Sequence, residues 1–153
     1  MIYKKTASPP ALKRSMSKLS KVLAEHGLGA DRRFGQCFLA NQGVLESIVR
    51  VSAAGPHTAV VEIGAGLGNL TELLARNALK VAAVELDRHF ESIHAQYLGH
   101  LKNVVFAYGD FLDLRLDRLF ADLEAACQER IVVGNIPYNI TSKILMKLLD
   151  ERQ

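Results

Sequence analysis

Four short stretches of the chain carry residues whose types and spacing could do chemistry. In "VEIGAGLGNLT" (61–71), Gly64, Gly66 and Gly68 follow an acid, Glu62. Glycines so placed let the backbone turn tightly and let a ligand lie against the main chain. Their spacing is G-x-G-x-G, whereas the dinucleotide fingerprint requires G-x-G-x-x-G. Glu62 would repel a pyrophosphate but suits a cationic amino-acid ligand. Glu85, in "AVELD", can accept both hydrogen bonds of a ribose diol. Asp110, in "YGDFLD", is placed to meet the exocyclic amine of an adenine, and a turn-forming role explains it equally well. The last stretch, "IVVGNIPYNIT" (131–141), ends an apolar run on Asn135, Pro137 and Tyr138 where an anonymous turn is the usual ending.

Such residues act together only if the fold gathers them. From residue 58 the pattern alternates strand and helix: "TAVVEIG", "LGNLTELLARNA", "KVAAVELD", "HFESIHAQYLGHL", "NVVFAYGD", "LDRLFADLEAACQ", "RIVVGN" and "TSKILMKLLD". Strands joined by crossover helices imply a mainly parallel sheet covered on both faces, an α/β fold of Rossmann-like type. Ligands of such sheets bind beyond the carboxyl ends of the strands, near the point where strand order reverses. Each of the residues above stands at one of those ends, and Asp87 is expected to cap the helix that follows it. Upstream, "GVLESIVRVSAA" has helical spacing, and "SMSKLSKVLAEHG" reads as a short helix stopped by Gly27. Residues 1–33 form a basic N-terminal extension, with an arm around "SPP", and residues 34–153 form the α/β domain.

The 153 residues suffice for one domain with a core, and 49% hydrophobic with 23% charged residues is a globular composition. No apolar run approaches the roughly 20 residues that span a bilayer. Cys37 and Cys127 match no metal or redox spacing, so a reducing, cytoplasmic setting is the expectation. The basic N-terminus is also compatible with an organelle transit peptide. Residues 1–33 carry eight Lys/Arg against two acids, and the remainder eleven against fourteen. A solvated tail explains this asymmetry as readily as a polyanion partner does. The histidines (His26, His57, His89, His94 and His100) show no ligand spacing and are expected at surface or helix positions. No nucleophilic triad or metal site is legible.

An amino acid, a ribose and an adenine in one crevice describe S-adenosylmethionine better than a nicotinamide dinucleotide. A methyl acceptor would then lie beside Asn135, Pro137 and Tyr138. If it is an aromatic amine such as adenine N6, its lone pair is delocalised into the ring. The Asn135 side-chain oxygen and the Ile136 carbonyl, held outward by rigid Pro137, are suited to accept from both amine hydrogens. Tyr138 offers a flat face to an extruded base, with stacking worth roughly 1–3 kcal/mol.

With these residues in place, the chain resembles the ribosomal RNA adenine dimethyltransferases of the KsgA type. "FGQCFL" (34–39), "VEIGAGLGNLT", "VAAVELD" (81–87), "GDFL" (109–112) and "NIPYNIT" (135–141) match in order and spacing, over about residues 32–150. The resemblance implies the class I S-adenosylmethionine-dependent methyltransferase fold. It implies dimethylation of two adjacent adenosines near the 3′ end of small-subunit rRNA, in ribosome assembly, by an enzyme expected to be a monomer when complete, whose partner is the small ribosomal subunit. By position, Gln36 and Leu39 would close over the donor, and Gly64 and Gly66 would line it. Glu85 would hold its ribose, Asp110 its adenine, and Asn135 and Tyr138 the target base. Cys37 stands where the family usually has Asn or His, and Ala65 where proline is common. The family continues past the position of Gln153 with further strands and a helical domain, so the sheet is expected to be incomplete after its fourth strand. Two alternatives remain: an adenine methyltransferase on another nucleic acid, large-subunit rRNA or DNA, and a non-catalytic RNA-binding assembly factor that kept the fold.

Overall fold

The computed structural model describes residues 41–121 and 127–151. The N-terminal extension with its expected short helix, and Gln36, Cys37 and Leu39, lie outside the described residues.

All six residues of β1, Thr58–Ile63, are buried, as are five of six in β2, Lys80–Glu85. A strand buried on both faces belongs in the middle of a covered sheet, and that is where both lie. With β3, Val104–Tyr108, and β4, Glu129–Gly134, they form a four-stranded parallel sheet in the order β3-β2-β1-β4. The chain steps outward from β1 to β3, then crosses back to place β4 on the other side of β1. The reversal point therefore lies between β1 and β4. Registry brings Ile63 opposite both Val84 and Gly134, and Glu85 opposite Tyr108, so the carboxyl ends of the strands are level.

The helices take the sides that right-handed crossovers require. On one face α1, Gln42–Ser52, and α2, Asn69–Asn77, pack through Leu45, Leu70 and Leu74 on Val60, Val81 and Ala83. The third helix, α3 (Glu91–Leu98), joins this face through His94, which stacks on Phe106 of β3. On the other face α4, Leu116–Ala121, and α5, Tyr138–Asp150, set Phe120 and Ile144 against Ala59, Val61 and Ala82. Period-two alternation thus sends Glu62, Glu85 and Tyr108 to the α1–α3 face.

Local chemistry sets the boundaries. Asn41 caps α1 by accepting from the Val44 N–H at 3.2 Å. Asp87 accepts from the His89 N–H at 3.0 Å and starts a 3₁₀ turn, Arg88–Phe90, that leads into α3, in line with its expected capping role. The start of α5 differs from the sequence reading: the helix begins at Tyr138, three residues before the expected start at Thr141. Pro137, at φ −61°, needs no N–H partner, and its carbonyl accepts from the Ile140 N–H and the Thr141 hydroxyl. The first turn is therefore complete from Tyr138 onward. His94, expected at a surface or helix position, lies on helix α3, where it is 1% exposed.

Gly68 joins the glycine loop to α2 at φ +79°, and a Cβ there would fall 2.1 Å from Leu98 Cδ1 of α3. Gly68→Ala should lose roughly 1–3 kcal/mol from backbone strain and overpacking. Gly55→Ala, where a Cβ would meet nothing closer than 3.7 Å, should stay within about 0.5 kcal/mol of the parent. Urea denaturation of both variants checks the contrast.

Candidate active site

The level strand ends open onto one cleft at the reversal point. The end of β1 contributes Glu62, the β1–α2 loop Gly64 and Gly66, the end of β2 Glu85 with Leu86 just after it, and the segment after β3 Asp110 and Phe111. Asn135, Ile136 and Pro137 supply the wall after β4, and Leu45 of α1 the far side. Seven of the residues singled out in the sequence (Glu62, Gly64, Gly66, Glu85, Asp110, Asn135 and Pro137) therefore share one cavity. Tyr138 does not line it. It stands at the first position of α5, beside Pro137, with its side chain 99% exposed.

The two buried acids differ in their surroundings. Glu85 is 5% exposed; its Oε2 accepts from the Gly66 N–H at 2.7 Å and its Oε1 from the Asp87 N–H at 2.9 Å. Burial raises its pKa, and these backbone bonds oppose the rise. Each carboxylate oxygen can accept more than one hydrogen bond, so a ribose hydroxyl can still be received. Glu62 is 1% exposed, and its Oε2 has no hydrogen-bond partner. The facing Thr71 hydroxyl lowers the pKa somewhat but completes no hydrogen bond of good geometry. Burial, reinforced by the charge of Glu85, pushes Glu62 up to about 8. The fold thus favours the neutral form of an acid that the sequence reading matched to a cationic ligand.

Asp110 takes the turn-forming one of its expected roles. Its Oδ1 accepts from the Leu112 N–H at 2.9 Å, forming a turn, while the residue borders the cleft. Just before Asn135, β4 packs closely on β1: a Cβ on Gly134 would fall 2.8 Å from the Ile63 carbonyl oxygen, so only glycine fits there without a shift of the backbone.

Other site residues escaped the sequence reading. Leu45, Leu86 and Phe111 form apolar walls, yet each reads in sequence as an ordinary core or turn residue; Ile136, singled out for its carbonyl, adds its side chain to these walls. His94 lies behind the glycine loop, its Nε2 2.7 Å from the Gly66 carbonyl oxygen and its Nδ1 2.9 Å from the Tyr108 hydroxyl. Its signal was a histidine at an inward helical position, four residues before the end of α3 at Leu98. No group of three or more metal-ligating side chains occurs among the described residues. Nor is any helix among them long and apolar enough to cross a membrane.

A parallel sheet of this order, with a glycine loop after β1 and an acid closing β2, is the Rossmann-like fold of class I S-adenosylmethionine-dependent methyltransferases. Residues 28–153 match the ribosomal RNA adenine dimethylase family, and the chain belongs to it. It is 38% identical over 151 residues to the ribosomal RNA small subunit methyltransferase A of Geobacillus kaustophilus, covering 99% of this chain and 49% of that protein. The chain spans about half the length of the curated relatives it matches. Among solved structures, the 23S rRNA methyltransferase ErmE aligns with TM-score 0.62 and 30% identity, over 75% of this chain and 43% of its own. A dimethyladenosine transferase from Plasmodium falciparum aligns with TM-score 0.60 and 28% identity, over 73% and 38%.

The raised pKa of Glu62 sets a pH dependence. An acid that ionises near 4.5 when unfolded and near 8 when folded stabilises the fold fully below about 4.5, and this stabilisation is lost as pH rises through about 8. The slope approaches ~1.4 kcal/mol per pH unit within that window. Glu62→Gln should match the parent at low pH, gain on it progressively from about pH 4.5, and level off above about 8. Urea denaturation across pH 4–9 measures the difference.

Proposed function

We propose that this chain is the donor-binding and catalytic part of an S-adenosylmethionine-dependent rRNA adenine dimethyltransferase. Its substrate is two adjacent adenosines near the 3′ end of small-subunit rRNA, presented by the small ribosomal subunit in the cytoplasm. One observation carries the reading: the orphaned, buried Glu62 carboxyl group faces the same cleft as the backbone-anchored Glu85 carboxylate. That pair suits a ligand with an ammonium group at one end and a ribose diol at the other. Identity to relatives named as small-subunit rRNA methyltransferases supports the choice of RNA.

Bound in this cleft, S-adenosylmethionine supplies a methyl group activated by its sulfonium. Glu62 receives the ammonium group and ionises as it does so. Glu85, oriented by the Gly66 and Asp87 N–H groups, accepts from the ribose hydroxyls. Leu86 and Phe111 flank the purine, and Asp110, with Oδ1 engaged by Leu112, offers Oδ2 to its amine. On the acceptor side, the Asn135 side-chain oxygen and the Ile136 carbonyl accept from the target amine. This draws its lone pair out of the ring, and the displaced proton passes to solvent. The exposed Tyr138 ring stacks on the extruded base. Positioning supplies most of the rate. The likeness to a 23S rRNA methyltransferase favours large-subunit rRNA as the second reading.

Two measurements test the proposal. Labelled methyl transfer to undermethylated small subunits, followed by nucleoside mass spectrometry, should yield dimethyladenosine. Tyr138→Ala should reduce the yield by roughly 10- to 100-fold, the equivalent of ~1–3 kcal/mol of stacking, with donor affinity unchanged. Product on large-subunit RNA alone would select the second reading. Calorimetry with the donor at pH 7, in buffers of different ionisation enthalpy, should show release of close to one proton, because an ammonium lowers the Glu62 pKa from about 8. Glu62→Gln should bind more weakly and release none.

A further inference from the structure

His94 has no part in the chemistry above, yet both of its ring nitrogens are engaged in the protein interior behind the glycine loop. We infer that His94 is a positioning residue for the donor site: it fixes the Gly66 carbonyl, so that the loop meets the ligand in one peptide orientation. The inference rests on the proposed placement of the donor along that loop.

Gly66 sits at φ +54°, in a loop whose glycines impose little order of their own. Its N–H is held by Glu85 from β2, and its carbonyl is held by His94 from α3. Each of the two peptide planes that meet at Gly66 is therefore pinned by one side chain. The tautomer follows from donor and acceptor chemistry. A carbonyl oxygen can only accept, so Nε2 carries the proton, and Nδ1 accepts from the Tyr108 hydroxyl. Burial and the neighbouring carboxylates Glu91 and Glu85 push Tyr108 up to about 12, so its hydroxyl keeps the proton it donates. Burial also lowers the pKa of His94, which holds the imidazole neutral. Phe106 fixes the ring plane, stacked at 4.1 Å and 14°. His94 does not line the cleft, so its influence on a ligand passes through Gly66.

Packing alone would not need this polarity. His94→Phe keeps an aromatic ring against Phe106 and loses both hydrogen bonds. His94→Gln keeps a donor at the position of Nε2. Calorimetry should show donor affinity about five- to tenfold weaker in His94→Phe and within about twofold of the parent in His94→Gln. Equal affinity in parent and His94→Phe, with both folded, overturns the inference, as does failure of His94→Gln to restore binding when His94→Phe weakens it. Tyr108→Phe removes one oxygen and covers the case in which His94→Phe does not fold. Imidazole ¹⁵N shifts of the ligand-free parent at pH 7 should report the Nε2–H tautomer. In Tyr108→Phe that preference should fall and the Leu67 amide should exchange faster with solvent. An Nδ1–H tautomer in the parent, or no change of tautomer and exchange in Tyr108→Phe, overturns the inference. These last readouts need no ligand. If the parent binds no donor, the donor reading fails, and they still decide whether His94 fixes the loop.

Discussion

The cleft depends above all on one buried carboxylate, that of Glu85, held by two backbone N–H groups. Burial alone would drive it toward its neutral form, and the bonds from Gly66 and Asp87 work against that drive. The same bonds shape the chain around it. Gly66 is fixed within the first loop, while Asp87 is fixed at the point where it can start the 3₁₀ turn before α3. That turn leads into the helix that carries His94, which returns to the Gly66 carbonyl. Loop, strand end, turn and helix thus form a closed circuit of hydrogen bonds. A change at any member reaches the others without passing through a ligand.

Glu62, one strand away on the same face, shows what happens when such support is missing. It sits on the innermost strand, between Ala83 and Val133 in register, and no N–H reaches its Oε2. An unpaired buried polar group is costly, and native structures keep few of them. On the proposed function the cost falls on the free protein and is relieved by a cation, because ionisation becomes favourable only when an opposite charge arrives. The same reading separates the tasks of the two acids. The anchored carboxylate would receive neutral hydroxyls, and the orphaned one a charge.

Much of this was legible in the sequence because the parallel sheet writes itself as apolar runs. β1 and β2 are continuous hydrophobic stretches ending in acids, and the period of 3.6 is plain in the "NLTELLARN" of α2. The residues that converge on the cleft were also legible, since a strand's carboxyl end fixes where its last side chains lie. What escaped depends on contacts between distant segments. His94 and Tyr108 are unremarkable in their own segments, and only α3 packing against β3 makes them partners. The protonation of Glu62 was hidden for the same reason, since desolvation comes from the strands and helices around it. The start of α5 at Tyr138 was missed because Pro137 was read as the end of a loop, whereas its carbonyl already closes the first helical turn.

The two halves of the cleft are built to different standards, and this difference bears on how recognition divides. The half formed by β1 and β2 lies within the sheet, and Glu85 and Gly66 there are each held by at least two hydrogen bonds. The half formed by β4 and α5 lies at the edge of the described sheet. Tyr138 projects into solvent there, and Leu145, Met146 and Leu149 of α5 are more than half exposed. A rigid interior site suits a small ligand of constant shape, because preorganisation lowers the entropic cost of binding it. An exposed edge suits a large partner that brings its own surface and must be admitted in more than one approach. On the proposed function, affinity for the donor would reside in the buried circuit around Glu85, and selection of the acceptor in the open wall that begins at Asn135.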